Sequence, residues 1–185
     1  MELTPLSIQS ILRLTNLRIL KLACGLNDPE DILFLSDAFS GLLSVSLSIS
    51  SVKIPANITQ QVISSFSKDK CEAMSLAGFD IDVECMDSIA QLSKLFSIEI
   101  SNRNNSTPMD NAWIAPVSKM KRLERFILRS FVVDDKIHAF TTDGFIKAFK
   151  DSVCFIYLEL EIPGFSFDVK AFRAAFSHFV DVALK

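Results

Sequence analysis

The acidic residues between positions 80 and 87 are the first candidates for chemistry, because closely spaced carboxylates can coordinate a hard cation such as calcium. They are Asp80, Asp82, Glu84 and Asp87. The segment lacks the central glycine and the spacing of an EF-hand loop, and it leads into a sequence that suits a helix amino terminus. We therefore predict a solvated loop here and no bound metal.

Acid–base chemistry is suggested by Asp134, Asp135 and His138, which place acidic and basic residue types close together. No nucleophile motif or glycine-rich oxyanion loop accompanies them. The five glycines of the chain also stand outside any G-x-G or G-x-S-x-G context. We predict a surface loop at this segment and a chain that is not an enzyme and uses no cofactor. A small α/β enzyme with a Cys or Asp nucleophile is a less favoured alternative.

The cysteines Cys24, Cys71, Cys85 and Cys154 form no C-x-x-C pair. Their wide spacing suits neither a zinc motif nor a dense disulfide framework, and it favours buried thiols in a reducing compartment. The amino terminus is acidic and does not resemble a signal peptide, so we predict a cytoplasmic protein. The sequence lacks the run of about 18 apolar residues that spans a bilayer, which predicts no membrane insertion.

The net charge of −3 and the scattered Lys and Arg residues give no general electrostatic surface for nucleic acid, apart from a local basic cluster near residues 119–129. We therefore expect a protein partner and no nucleic acid. The sequence leaves the oligomeric state open.

A recurring apolar spacing defines the elements that would position any site. Residues 14–22 read LTNLRILKL, an L-x-x-L-x-x-L-x-L pattern whose first part suits the end of a helix and whose last part suits a strand. The pattern recurs at intervals of 25, 29, 24, 28 and 30 residues, with room for a helix in each interval. It predicts six helix–strand units, whose last apolar positions are Leu22, Leu47, Leu76, Ile100, Leu128 and Leu158.

This spacing resembles the leucine-rich repeat family, in which units of about 20 to 29 residues stack into a solenoid. The longer periods look most like the ribonuclease-inhibitor-like class, although no asparagine ladder follows the strands. The resemblance covers roughly residues 6–161. It implies an α/β leucine-rich repeat solenoid with a curved parallel sheet on the concave side, helices on the convex side and about six repeats.

One domain is expected over residues 1–185. Apolar residues at Val169, Phe172, Phe176, Phe179, Val180 and Ala183 have the spacing of one helical face. They predict a capping helix over about residues 168–185 that closes the end of the core. The chain would then be a full repeat array or the C-terminal part of a longer protein.

In such a solenoid, the residues that alternate with the apolar anchors face the concave side. They are small in the middle of the chain and large towards its end. Because Arg and Tyr are enriched among interface hot spots, the large ones predict a partner-binding patch. The alternative is a solvated strand face with weak Arg–Glu pairs between neighbouring strands. The predicted patch comprises Glu99, Arg125, Arg129, Phe155, Tyr157 and Glu159.

The resemblance implies a non-catalytic protein–protein interaction module that binds its partner through the concave face. Cytosolic arrays of this class serve as ligand-sensing tails of NLR-type innate immune receptors, as substrate-recognition parts of F-box ubiquitin-ligase subunits, or as enzyme inhibitors. Repeat sequence begins almost at once in this chain, which favours the receptor tail over the F-box subunit.

Overall fold

A single open sheet of seven parallel strands organises the chain. The structure is a computed structural model and describes residues 5–102, 109–130, 138–152, 154–176, 178 and 180–185. The strands, numbered along the chain, are β1 (Ile19–Cys24), β2 (Ser44–Ile49), β3 (Ala73–Ala77), β4 (Ser97–Asn102), β5 (Met109–Asp110), β6 (Arg125–Ser130), β7 (His138–Ala139), β8 (Tyr157–Glu161) and β9 (Asp181–Leu184). The order in the sheet is β1-β2-β3-β4-β6-β8-β9, and β5 pairs with β7 alone.

One helix precedes the first strand, and helical segments connect consecutive strands of this sheet. They are α1 (Pro5–Leu12), α2 (Ser36–Phe39), α3 (Ala56–Ser64), α4 (Val83–Ala90), α5 (Asn111–Ile114), α6 (Thr142–Phe149) and α7 (Val169–Ala174), with 3₁₀ helices at Pro29–Leu35 and Ala115–Lys119. The predicted α/β class is therefore confirmed, and the sheet is parallel. Across the described ranges, every helix is too short or too polar to cross a membrane.

Short polar side chains fix where these helices begin. Asp28 accepts a hydrogen bond from the amide of Glu30, and Asp82 accepts one from the amide of Cys85 at 2.7 Å. Thr141 and Asp168 cap α6 and α7 in the same way. These bonds satisfy amides that have no partner inside the helix.

In the acidic segment predicted as a solvated loop, Asp82 is the cap of α4. The prediction is wrong for the other three carboxylates, because Asp80 is buried and both Glu84 and Asp87 lie within α4.

The helices cover one face of the sheet, and the core lies between them and the strands. Along β1 the residues alternate between exposed and buried over all six positions. Neighbouring helices also pack on one another in chain order, as α3 does on α4 and α6 on α7. We call the side that no described helix covers the open face. Its residues are Ile19, Lys21, Ala23, Ser44, Ser46, Ser48, Ala73, Ser75, Ala77, Ser97, Glu99, Ser101, Arg125, Ile127, Arg129, Tyr157, Glu159, Glu161, Asp181, Ala183 and Lys185.

The register of β8 differs by two residues from the predicted one. Leu22, Leu47, Leu76, Ile100 and Leu128 do lie opposite one another in adjacent strands. The residue opposite Leu128, however, is Leu160 and not Leu158. Phe155 consequently occupies the turn position that Leu123 occupies before β6, where both side chains are fully buried.

The predicted capping helix over residues 168–185 is wrong beyond its first third. α7 ends at Ala174, and residues 181–184 form β9, which pairs in parallel with β8. The physical reason is that the backbone of β8 gains hydrogen-bond partners along an edge that a helix would leave unpaired. The described sheet therefore has seven strands in place of the six predicted.

The first unit also departs from prediction at one anchor. Leu14 was expected to be buried, but 56% of its surface is exposed. It lies at the outer end of the described helix stack, beside α1, where no further described element packs over it.

Candidate interaction site

Four of the six predicted patch residues lie in one hydrogen-bonded group on the open face. We call this group, together with a fifth residue that the sequence did not reveal, the charged cluster. Its position follows from the register, because β4, β6, β8 and β9 are consecutive neighbours in the sheet. The cluster consists of Glu99, Arg129, Tyr157, Glu159 and Lys185.

Arg129 is the centre of the charged cluster. Its Nη1 donates to Glu99 Oε1 on one side, and its Nη2 donates to Glu159 Oε1 at 2.8 Å on the other. Its Nε donates to the same Glu159 oxygen at 3.2 Å. Glu161 Oε2 lies 3.8 Å from Nε and adds a longer ion pair. One guanidinium therefore connects the side chains of β4, β6 and β8.

Glu159 is the most enclosed ionised group of the cluster, with only 4% of its side chain exposed. Tyr157 Oη donates to its Oε2 at 2.7 Å, and Lys185 Nζ donates to its Oε1 at 2.8 Å. Burial raises the pKa of Glu159, but hydrogen bonds from Lys185, Tyr157 and Arg129 outweigh burial and lower the pKa to about 2. Glu159 is therefore a carboxylate at neutral pH.

The same contacts shift the pKa values of Tyr157 and Arg129, two of the partners of Glu159. The hydrogen bond to Glu159 raises the pKa of Tyr157, with burial adding to the effect. Burial opposes the charge of Arg129, but its bonds to Glu159 and the charge of Glu99 raise its pKa overall. Tyr157 therefore stays protonated and Arg129 stays charged, so the cluster is a fixed set of donors and acceptors.

Two further open-face residues belong to the surroundings of the cluster. The guanidinium carbon of Arg125 lies 5.4 Å from the centroid of the Tyr157 ring, which is cation–π geometry. Ile127 lies in the same row as Glu99 and Glu159 and is fully buried. An apolar side chain is therefore buried in the row of the open face that also carries Glu99 and Glu159.

Phe155 is the predicted patch residue that the structure places elsewhere. It is fully buried, and its ring centroid lies 4.3 Å from that of Phe149 in the core. The prediction that Phe155 faces outwards is therefore wrong, and the cause is the two-residue register difference at β8. The same difference explains why Glu161 was not predicted on the open face, and the unpredicted strand β9 explains why Lys185 was not.

Beside the charged cluster, the open face carries a depression of about 470 Å³ at the carboxyl ends of β2, β3 and β4. We call it the serine groove. Small side chains form its floor, and larger charged ones bound it, with Lys53 paired to Asp80 at 3.3 Å on one side. The floor comprises Ser48, Ser75, Ala77 and Ser101, and the boundary comprises Lys53, Glu99 and Arg129.

The turn after β3 shapes the groove. Gly78 has a φ of +85°, a conformation that other residues rarely adopt. A Cβ atom there would lie 2.2 Å from the carbonyl oxygen of Ile49 on the neighbouring strand. Glycine thus lets the chain pass close to β2 at the point where the floor ends.

The groove offers hydroxyl chemistry to a ligand. The hydroxyls of Ser48, Ser75 and Ser101 have no hydrogen-bond partner among the residues that the structure describes, and all three residues are at least partly exposed. Each hydroxyl can donate one hydrogen bond and accept two. The floor can therefore hydrogen-bond to a polar backbone that approaches the sheet closely.

Nucleophilic and metal chemistry have less support from the geometry. Burial raises the pKa of both Cys71 and Cys85 to about 12, so these thiols are not ionised at neutral pH. Cys24 is also buried, whereas Cys154 is exposed, contrary to the prediction of four buried thiols. No three His, Cys, Asp or Glu side chains converge as metal ligands within the ranges that the structure covers. Asp134 and Asp135 lie outside the described residues, and the side chain of His138 is not described.

The comparisons with known proteins add no relative. No family model matches the sequence, and no curated protein matches it. Inferences about function therefore rest on the arrangement of the open face.

Proposed function

We propose that the chain is a leucine-rich repeat solenoid of the ribonuclease-inhibitor-like class that serves as a non-catalytic protein interaction module. Three features support this assignment. Strands and helical segments alternate seven times, the strands keep sequence order across the sheet, and the described helices lie on one face of it. The uncovered face would be the concave side of the solenoid and the surface for a protein partner.

The observation that carries the proposal is the serine groove next to the charged cluster. Small floor residues allow a partner backbone to approach the sheet, and the serine hydroxyls can hydrogen-bond to it. The ionised boundary of Glu99 and Arg129 would select partners by charge, because a mismatched charge there would be left desolvated and unpaired.

The charged cluster itself changes the expected role of the predicted patch. Arg129, Tyr157 and Glu159 bind one another, and Glu159 is almost wholly enclosed. These side chains fix the shape of the surface, whereas the floor makes the direct contacts. Replacing Arg129 and Tyr157 together would leave Glu159 short of donors, so that pair of substitutions would reduce stability as well as binding.

For the biological context we retain two proposals, the ligand-sensing tail of an NLR-type innate immune receptor and the substrate-recognition part of an F-box ubiquitin-ligase subunit. Both are cytoplasmic, and both use such an array as a binding surface. They differ in the domain that accompanies the array, a nucleotide-binding domain in the first and an F-box in the second.

The test places a bulky cation on the groove floor. Affinity capture with the wild-type chain supplies a partner, which is purified and titrated against Ser75→Arg and a matched control, Ser64→Arg. Ser64 is an exposed residue of α3, on the helical side of the sheet. We expect Ser75→Arg to raise Kd at least tenfold, about 1.4 kcal/mol, and Ser64→Arg to leave it within about twofold. Equal affinities of the two variants and the wild type would refute the proposal.

A further inference from the structure

A second surface lies along the amino-terminal edge of the sheet, where the chain turns into each strand. Lys70, Lys94 and Arg122 each precede the first residue of a strand by three positions, in β3, β4 and β6. Those first residues, Ala73, Ser97 and Arg125, lie opposite one another. The three cations therefore occupy equivalent positions in adjacent turns, and we call them the basic ladder.

The turns that carry the basic ladder are held together by backbone hydrogen bonds. The amide of Phe96 donates to the carbonyl of Glu72 at 2.9 Å, and the amide of Glu124 donates to the carbonyl of Phe96 at 2.8 Å. The strand spacing of about 4.8 Å thus extends into the turns, and the ladder is about 10 Å long at the backbone. In each turn the cation is exposed, and the residue that directly follows it is buried. Those buried residues are Cys71, Leu95 and Leu123.

Three like charges side by side repel one another, and equivalent neighbours in a sheet are destabilised by such contacts. Within the described residues, none of the three ladder side chains forms an ion pair or side-chain hydrogen bond. This holds although the exposed residues Glu72 and Glu124 follow Lys70 and Arg122 by two positions in the sequence.

Nor does the fold need a cation at this position. The equivalent residues before β1, β2, β8 and β9 are Asn16, Gly41, Cys154 and His178. The repulsion within the basic ladder is thus not compensated inside the described structure.

We propose that the basic ladder binds an acidic segment of a protein partner that lies across these turns. Carboxylates at alternate positions of an extended segment are about 7 Å apart, so two of them fit within the ladder. A protein segment suits the surface better than nucleic acid does, because affinity for nucleic acid grows with the number of phosphates neutralised and the ladder has only three cations. This surface is independent of the serine groove.

The test uses fluorescein-labelled hexaglutamate as the probe, with binding followed by fluorescence anisotropy at low salt. The ladder variant carries Lys70→Glu, Lys94→Glu and Arg122→Glu. The matched control carries Lys21→Glu, Lys147→Glu and Lys170→Glu, which change the net charge equally at exposed positions elsewhere. Circular dichroism and urea unfolding of both variants establish that each is folded.

We expect the wild-type chain to bind hexaglutamate, with affinity falling steeply at about 0.3 M salt because surface charges are then screened. The ladder variant should lose at least tenfold in affinity, and the control should stay within about threefold of the wild type. Absence of wild-type binding, or equal losses in the two variants, would overturn the proposal. Tighter wild-type binding to a single-stranded DNA oligonucleotide or to phosphatidylserine vesicles would overturn the assignment to a protein segment.

Discussion

Replacing Glu159 by Gln removes the ionised centre of the charged cluster and keeps the size of the side chain. The pKa of Glu159 is lowered to about 2 in the folded chain, against an ordinary value of about 4.3. That difference corresponds to about 3 kcal/mol of stability at neutral pH. Because Arg129 and Lys185, which pair with Glu159, are themselves partly exposed and screened by solvent, we expect about 2 kcal/mol in practice.

The pH dependence identifies this contribution. A carboxylate whose pKa is lowered by folding stabilises the protein above its unfolded pKa, and the stabilisation is lost as the pH falls towards its folded pKa. The difference in unfolding free energy between the wild type and Glu159→Gln should therefore shrink by about half between pH 7 and pH 3, as measured by urea unfolding. Contributions from the other carboxylates largely cancel in this difference.

Glu124→Gln serves as the control, because Glu124 is exposed at the amino-terminal edge of the sheet. It should change the unfolding free energy by less than about 0.5 kcal/mol at either pH. A stability difference for Glu159→Gln that is constant between pH 7 and pH 3 would refute the reasoning. So would a variant as stable as the wild type at pH 7.

Three further substitutions test the turns and the sheet edge. Gly78→Ala should lower the unfolding free energy by about 2–4 kcal/mol, because its Cβ would meet the carbonyl oxygen of Ile49. Gly41→Ala should be near neutral in thermal unfolding, because its Cβ would lie 3.7 Å from the nearest atom, the carbonyl oxygen of Leu17. Phe155→Ala should lower the unfolding free energy by about 3–5 kcal/mol because of the cavity it leaves. Ile156→Ala should lower it by less than about 1 kcal/mol, because 53% of Ile156 is exposed. Similar losses for the two variants would contradict the observed register of β8. Lys185→Met should lower the unfolding free energy by about 1 kcal/mol. It should also speed amide hydrogen exchange in β9 and leave exchange in β1 unchanged. Unchanged exchange in β9 would show that the ion pair between Lys185 and Glu159 does not hold β9 in place.

The strands β1, β2, β3, β4 and β6 could be predicted from sequence because their inward positions carry apolar residues at a near-regular spacing. The unit before β8 broke that signal. Its first anchor position is Ser152, which is buried although polar because its hydroxyl donates to the carbonyl of Leu123 at 2.9 Å. The pattern two residues earlier also has a polar first position, Lys150, followed by apolar residues at Val153, Ile156 and Leu158. The apolar spacing therefore did not distinguish the two registers, and Phe155 was assigned to the wrong face.

The last strand was missed for a different reason. Phe176, Phe179, Val182 and Leu184 repeat the spacing of the earlier units, but the same region also fits one face of a helix when Phe172 and Val180 are included. Local pattern does not decide between the two. Pairing with the edge of β8 decides it, and that pairing depends on the rest of the sheet.

The candidate site, like the fold, could be predicted from the sequence only in part. Alternation along single strands predicted that Glu99, Arg129, Tyr157 and Glu159 share the open face. Their mutual hydrogen bonds depend on the register of three strands and on the arrival of Lys185 from a fourth, neither of which is visible in the sequence. The serine groove depends likewise on which small residues the register places side by side.

The most direct test of the central claim is whether a bound partner covers the groove floor. In a Cys154→Ser background, which removes the exposed native thiol, Ser75→Cys and Ser64→Cys would each be alkylated with iodoacetamide, alone and with saturating captured partner. We predict that the partner slows alkylation at position 75 at least tenfold and leaves position 64 unchanged. Unchanged alkylation at position 75 with protection at position 64 would place the partner on the helical side and contradict the account.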